Sequence, residues 1–338
     1  MPFFIVEGDI TKMNTDCIVI SSDVSLKPVG GMSTALYNAV KEPELLKKEC
    51  EKIGFCGGCE CVTTRSYGLA SKYIIHSVAP IFCDCGKNAE KYMETCYKNA
   101  LYMAGCKEAK SVSLPFIGTG KKGFPKDMVL RSAINSIKNY LDKYDMNIYF
   151  VVHNRSSFLV DSNLIEKVNN FINDNYTGKT NKSFDIINSF AESFTVDSDT
   201  FVNFPIDFNR ADIATDEIVE KNSEKVKFDE LLKNEMKKHK IRDSKLYRKC
   251  NIEKDAFARL KNDINKNPSK EIVFALTVGL EMNIFDAEIF VKKCGYSLSS
   301  DYKQNVILRY FLENKMFDIY TINEIMFYYN ESQLGTIC

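Results

Sequence analysis

The chain has 338 residues, with 45 lysines and arginines against 45 aspartates and glutamates, and 45% of its residues are hydrophobic. A net charge of zero argues against a wholesale binder of nucleic acid or anionic membrane, and no apolar run is long enough for a membrane span. The length suggests two domains, and an opening without a basic segment, Met-Pro-Phe-Phe-Ile-Val-Glu, predicts a soluble cytoplasmic protein.

Twelve cysteines follow no disulfide-scaffold spacing, which fits reduced thiols in a cytosol. Cys56, Cys59 and Cys61, with Cys83 and Cys85, have spacings at which thiolates can hold zinc. The nearest histidine is His76, inside an apolar strand, and reads as a satisfied core residue. No metal and no cofactor are assigned.

In chain order, strands are predicted at residues 3–6 and 17–22. The Gly30-Gly31 pair then leads into a helix near 34–40, and another follows at 44–53. Strands at 58–64 and 72–78 precede a long helix at 88–104, a strand at 112–117, a helix at 126–144 and a strand at 147–153. Such alternation argues an α/β sandwich with a largely parallel sheet. Ligands in these sheets gather at the carboxyl ends of strands. Asp9, Asp23, the loop starting at Gly118 and Asn154 all fall just past strand ends.

The most informative stretch is 111–125. An apolar run there feeds Gly118, Thr119, Gly120, Lys121, Lys122, Gly123 and Phe124, and Pro125 opens the next helix. A strand, a glycine-rich turn and a helix start aim several backbone N–H groups at one place, which suits a phosphate. Glycine lets the backbone approach an anion where a Cβ would clash. The spacing Gly118-x-Gly120-x-x-Gly123 matches a dinucleotide fingerprint, but the following strand ends at Asn154 instead of the acid that fingerprint needs. The Walker pattern also fails, because no Gly-Lys-Ser/Thr follows.

Gly8-Asp9-Ile10-Thr11, the Gly30-Gly31 turn, Pro43-Glu44-Leu45-Leu46, the run from Tyr73 to Pro80, and Gly118-Thr119-Gly120-x-x-Gly123-Phe124-Pro125 together resemble a macrodomain. The resemblance runs in order over about residues 1–175. It implies a three-layer α/β/α fold with a mixed, largely parallel sheet, and binding or processing of ADP-ribose. It implies that Asp9 accepts a hydrogen bond from the adenine amino group, with the Ile10 backbone beside it. The Gly30-Gly31 turn on one side and the loop from Gly118 to Gly123 on the other would clasp the diphosphate. Asp23 would fall at the distal ribose, and Met32 and Ser33 beside the turn join the ligand-binding set; Lys121 and Lys122 could neutralise the diphosphate charge. Phe124 would pack on the distal ribose, and His153 and Asn154 would flank the adenine.

The residues themselves allow other readings: Asp9 as a helix cap, Lys121 and Lys122 as solvated side chains, Phe124 as core. The chain also departs from the family pattern. Hydrolytic members often carry Asn-Ala-Ala-Asn after the second strand, where this chain has Ile20-Ser21-Ser22-Asp23, and an Asp where Ser33 stands. Asp23 is the catalytic candidate, with a plain turn residue as the other reading.

Residues 161–227 hold 13 acids against 7 bases, and the periodicity fails, so residues 178–227 read as a linker between a domain at 1–177 and an all-α one at 228–338. Helices are predicted at 228–239, 243–250, 253–261, 269–282 and 286–294, with Asp243 or Ser244 capping the second and Gly295 ending the last. Two short helices joined by a tight turn resemble a lambda-repressor-type helix-turn-helix over residues 228–295, with 253–261 as recognition helix. Residues 228–266 hold 12 bases against 7 acids, which suits DNA or a protein partner. Two more apolar-striped helices, at 301–313 and 319–329, are left to pack on this module or on a second subunit. The reading is therefore a mono-ADP-ribosyl hydrolase-like protein, or a non-catalytic ADP-ribose reader.

Overall fold

A computed structural model describes residues 2–155, 158, 161–178, 227–262 and 268–336. All but the ends of the linker expected at 178–227 lies outside the described residues. The first half contains β1 (Phe3–Glu7), β2 (Cys17–Ser22), α1 (Gly31–Ala39), α2 (Pro43–Ile53), β3 (Cys61–Arg65), β4 (Tyr73–Val78), α3 (Phe82–Cys85), α4 (Ala89–Cys106), β5 (Ser111–Leu114), α5 (Lys126–Leu141), β6 (Asn147–Val152) and α6 (Ser162–Asn175).

The six strands form one sheet in the order β1-β6-β5-β2-β4-β3. Only β3 runs antiparallel, against β4. Helices cover both faces. Ile5, Val19, Ile75, Leu114 and Phe150 pack toward α4 and α5, whereas Ile18, Ile20, Ile74 and Val78 pack toward α1 and α2. Burial on both faces is why these strands read as nearly continuous apolar runs. Because five strands run the same way, the ends of β1, β6, β5, β2 and β4 open at one rim.

The boundaries differ from the sequence reading where backbone chemistry intervenes. The strand expected at 112–117 stops at Leu114, since Pro115 has no N–H to give the ladder. The one expected at 58–64 begins only at Cys61, after Cys59 turns the chain at φ +66. The helix expected at 34–40 starts earlier, at Gly31. The helix α6 was not expected, and it buries Val168 and Ile172 among the C-terminal helices instead of against the sheet.

Those helices are α7 (Phe228–Lys238), α8 (Asp243–Lys249), α9 (Lys254–Asn262), α10 (Lys270–Gly279), α11 (Ile284–Lys293), α12 (Lys303–Glu313) and α13 (Ile319–Tyr328). Leu232, Leu246, Phe257, Phe274 and Phe311 belong to one core that also takes in α12 and α13. Neither Asp243 nor Ser244 caps α8, whose cap position is Arg242; the Asp243 carboxylate is instead paired with Lys261 at 2.6 Å. Gly295 follows α11 at φ +87, as expected for a residue ending a helix.

The helical half closes the free edge of the sheet. An edge strand leaves alternate N–H and C=O groups without partners. Here two side-chain amides supply them. The Asn251 Oδ1 accepts the Phe3 N–H at 2.7 Å, and its Nδ2 donates to the Phe3 carbonyl at 3.0 Å. Gln333 does the same for Ile5, accepting at 3.0 Å and donating at 2.6 Å. Each amide thus stands in for one residue of a neighbouring strand. Phe158 against Phe327, with ring centres 5.0 Å apart, and the Lys138–Asp318 pair at 2.7 Å add to the junction.

Candidate functional site

The rim of the sheet collects the predicted residues in the order of the strands. At one end, beyond β1, Asp9 caps a single 3-10 turn (Ile10–Lys12). Its Oδ1 accepts from the Thr11 backbone N–H at 2.9 Å and from the Thr11 hydroxyl at 2.7 Å. Partial burial raises the carboxyl's pKa, but those bonds and the nearby Lys12 and His153 outweigh it and leave the group below its ordinary value. Asp9 is thus the cap that the sequence allowed, and Oδ1 is the oxygen that does it. The Ile10 side chain is buried, while His153 and Asn154, leaving the neighbouring β6, are exposed beside this end.

In the middle, the β5–α5 loop faces the start of α1. Gly118 has φ +77, and a Cβ there would meet the Ala79 Cβ at 2.9 Å. Glycine is required by both conformation and space. Gly123 also takes a positive φ, +78, and its N–H donates to the Gly120 carbonyl at 2.9 Å. Gly120, Gly30 and Gly31 differ: a Cβ at any of them would find nothing within 4 Å. Their lack of side chains leaves open space between the two loops. No side chain caps α1, so the N–H groups of its first turn, at Gly31, Met32 and Ser33, lie uncapped at the positive end of the helix dipole.

Ser33 and Met32 are otherwise engaged. The Ser33 hydroxyl donates to the Ser21 carbonyl at 3.3 Å, and the Met32 sulfur accepts the Ser21 N–H at 3.3 Å. The Ser21 hydroxyl accepts the Gly118 N–H at 3.2 Å, so Ser21 ties β2 to both loops. Buried Tyr97 supports the same loop from below, donating to the Pro115 carbonyl at 2.8 Å and accepting the Ile117 N–H at 3.0 Å. Sequence reading missed both roles, because a serine and a tyrosine at these places carry no local signal of what they hold. Thr119 is half-buried in the loop.

Two lysines cross from this loop to the other. Lys121 Nζ donates to the Val29 carbonyl at 2.8 Å, and Lys122 Nζ lies 3.9 Å from Asp23 Oδ2. Asp23 also accepts from the Ser25 N–H at 3.2 Å and its hydroxyl at 3.1 Å. The Ser25 N–H is the main cause that lowers the Asp23 pKa; burial opposes it, and the Ser25 hydroxyl and Lys122 add to the lowering. Asp23 therefore has the turn geometry that the sequence allowed while staying at the mouth of the gap. Phe124 is 3% exposed and packs edge-on against Phe82, with ring centres 5.2 Å apart, the core placement. His76 is buried, bonded at 3.0 Å to both the Ser22 and Thr64 hydroxyls, as a core histidine should be.

Among the described residues, no group of three or more His, Cys, Asp or Glu side chains is arranged to hold a metal, and Cys56, Cys59, Cys61, Cys83 and Cys85 are free thiols. No helix of the described residues is long and apolar enough to cross a membrane.

Residues 21–133 match the family model of the Macro domain. A Macro domain-containing protein of Methanosarcina mazei is 34% identical over 155 residues, which cover 45% of this chain and 82% of that protein. The chain belongs to the macrodomain family. An O-acetyl-ADP-ribose deacetylase of Cronobacter turicensis is 32% identical to it over 166 residues, 48% of this chain and 94% of the relative. Among solved structures, an Oceanobacillus iheyensis macrodomain with ADP is 34% identical, covering 44% of this chain and 80% of that one, at a TM-score of 0.41. These relatives account for less than half of the chain, so the macrodomain carries an additional helical region.

Proposed function

We propose that the macrodomain binds ADP-ribose or an ADP-ribosyl group and removes it from a modified target. The observation that carries the binding is the glycine-lined gap. Gly30, Gly31 and Gly120 have room for side chains they lack, beside a helix start that no side chain caps. Backbone N–H groups and a helix dipole at such a gap favour a diphosphate. Asp9 lies at the end where a carboxylate would accept the adenine amino group, through the oxygen not used by Thr11. Ile10, His153 and Asn154 line that end, and Met32, Ser33, Thr119, Lys121, Lys122 and Gly123 the middle.

Asp23 stands at the opposite end, where the distal ribose would lie. Cleavage there develops positive charge on the ribose ring, by analogy with other glycosyl transfers. A carboxylate held ionised by Ser25 and Lys122 suits stabilisation of that charge, or orientation of the water that replaces the target. Relatives named O-acetyl-ADP-ribose deacetylase support an ADP-ribose derivative as substrate.

A second reading, a reader without catalysis, is favoured by one observation. One Asp23 oxygen is already used by its own turn. The test compares Asp23→Ala with Asp23→Asn for release of ADP-ribose from mono-ADP-ribosylated protein. Lost turnover in the alanine variant, with ligand affinity kept, supports the catalytic reading. Full activity in both variants sinks the role of Asp23, and an inactive wild type leaves the reader.

We take the expected units as 1–177 for ligand binding, 178–227 as a connector and 228–338 for helical docking, with α6 moved from the first to the last because it packs among the C-terminal helices. The α8–α9 pair is where a helix-turn-helix was expected, but its parts are committed. The turn residue Asn251 holds β1, and Arg248 on α8 reaches the Asp142 carbonyl and Asp145. Lys254 and Arg259 on α9 remain exposed, where either an acidic protein surface or a nucleic-acid backbone could meet them.

A further inference from the structure

Arg155 lies three residues beyond β6, outside every motif read from the sequence, yet it joins three parts of the molecule. Its N–H donates to Glu7 Oε1 at 2.9 Å and its guanidinium lies 3.5 Å from Glu7 Oε2. Glu7 ends β1, immediately before Gly8 and Asp9. Arg155 itself follows His153 and Asn154. The pair therefore pins together the two segments that flank the adenine end of the cleft.

The other side of the guanidinium belongs to the helical region. It lies over the Phe327 ring, 4.6 Å from the centre, and bonds to the Asn330 side chain. Phe327 is in the last turn of α13 and Asn330 lies two residues beyond it. The same junction includes the Gln333 amide on Ile5 and the Asn251 amide on Phe3. Three consecutive steps of β1, at residues 3, 5 and 7, are thus held by C-terminal residues directly or through Arg155.

We propose that Arg155 is a positioning residue for the adenine subsite, and that through it the docked helical region sets the affinity of the macrodomain for adenine nucleotides. This rests on the reading that the cleft binds ADP-ribose. Asp9 can meet an adenine only where β1 delivers it, and Glu7 is fixed at one oxygen by the Arg155 backbone N–H and drawn at the other by the nearby guanidinium charge. Coupling of this kind is reciprocal. If the docked helices strengthen adenine binding, bound adenine holds the helices in place by the same factor. The additional region is then a sensor of the cleft's occupancy.

The experiment uses the full chain. Affinities for ADP-ribose and for AMP are measured by calorimetry in wild type, Arg155→Ala, Arg155→Lys and Asn330→Ala. Amide hydrogen exchange across residues 2–10 and 319–336 is followed with and without ADP-ribose. Arg155→Ala should weaken ADP-ribose and AMP by the same factor, about tenfold, within the usual range of coupling between sites. Equal loss for both ligands marks the adenine end. Arg155→Lys should recover only part, because an ammonium cannot contact Glu7, Phe327 and Asn330 together. Asn330→Ala should weaken both ligands by about threefold, about half of that coupling free energy, while leaving the macrodomain's own residues unchanged.

ADP-ribose should slow exchange at 319–336 in wild type and not in Arg155→Ala. Wild-type affinities in both alanine variants, or no ligand effect at 319–336, would overturn the proposal while leaving ADP-ribose binding intact. A wild type that binds neither ligand would instead remove the functional reading beneath it. If Arg155→Ala fails to fold, Asn330→Ala and the exchange measurement still decide.

Discussion

Gly120→Glu separates the folding of the cleft from its chemistry. A Cβ at Gly120 meets nothing within 4 Å, the residue is exposed, and its φ lies outside the left-handed range. The added side chain therefore points into open space, and the melting temperature should stay near that of wild type, since surface changes of this kind cost at most about 0.5 kcal/mol. Binding should respond very differently. A carboxylate about 4 Å from a diphosphate charge, at an effective dielectric near 20, is opposed by about 4 kcal/mol, close to a thousandfold in Kd. Lys121 and Lys122 offset part of this, and salt should reduce it further. Calorimetric titration with ADP-ribose at low and high salt, beside thermal melts, measures both effects. Gly120→Ala is the control and should bind within a few-fold of wild type. A folded Gly120→Glu that binds ADP-ribose as wild type does would show that the gap between the loops is not where the anion lies.

Three further outcomes follow from the same geometry. Asp9→Ala should weaken ADP-ribose by about 1.5–3 kcal/mol, typical of a lost hydrogen bond to a charged group, and cost about 1 kcal/mol of stability as the Thr11 cap is lost; an unchanged Kd would place the adenine elsewhere. Gly118→Ala should destabilise by roughly 2–4 kcal/mol, from the positive φ and the approach to Ala79, which denaturant melts would reveal and an unchanged midpoint would contradict. Burial lowers the His76 pKa to about 4, so folded His76 stays neutral while the unfolded chain takes up a proton below about 6.5. Stability from this group should be complete above 6.5 and fall as the pH drops toward 4, by roughly 3 kcal/mol. An imidazole NMR titration showing His76 protonated at pH 6 would refute it.

How far the sequence reached can be judged from particular residues. Chain-local patterns were enough for the sheet: the apolar runs at 17–22, 72–78 and 147–152 can be buried on both faces only in a parallel, helix-covered sheet. Glycine spacing was equally legible, because Gly118 and Gly123 take a positive φ that other residues rarely adopt. Those are properties of a few adjacent residues.

Asp9, Asp23 and Phe124 were each left between two readings, because a cap, a turn or a core contact depends on neighbours that the linear order does not display. Tertiary structure gave Asp9 and Asp23 local hydrogen bonds on one oxygen each, and it put Phe124 in the core. What sequence could not show at all is the junction of the halves. Asn251 and Gln333 meet β1 from 248 and 328 residues away, satisfying an edge strand in need of partners, and Arg155 meets Phe327 and Asn330 at the same junction. An unpaired edge is a property of the assembled sheet, so the residues that satisfy it become recognisable only after the chain has folded.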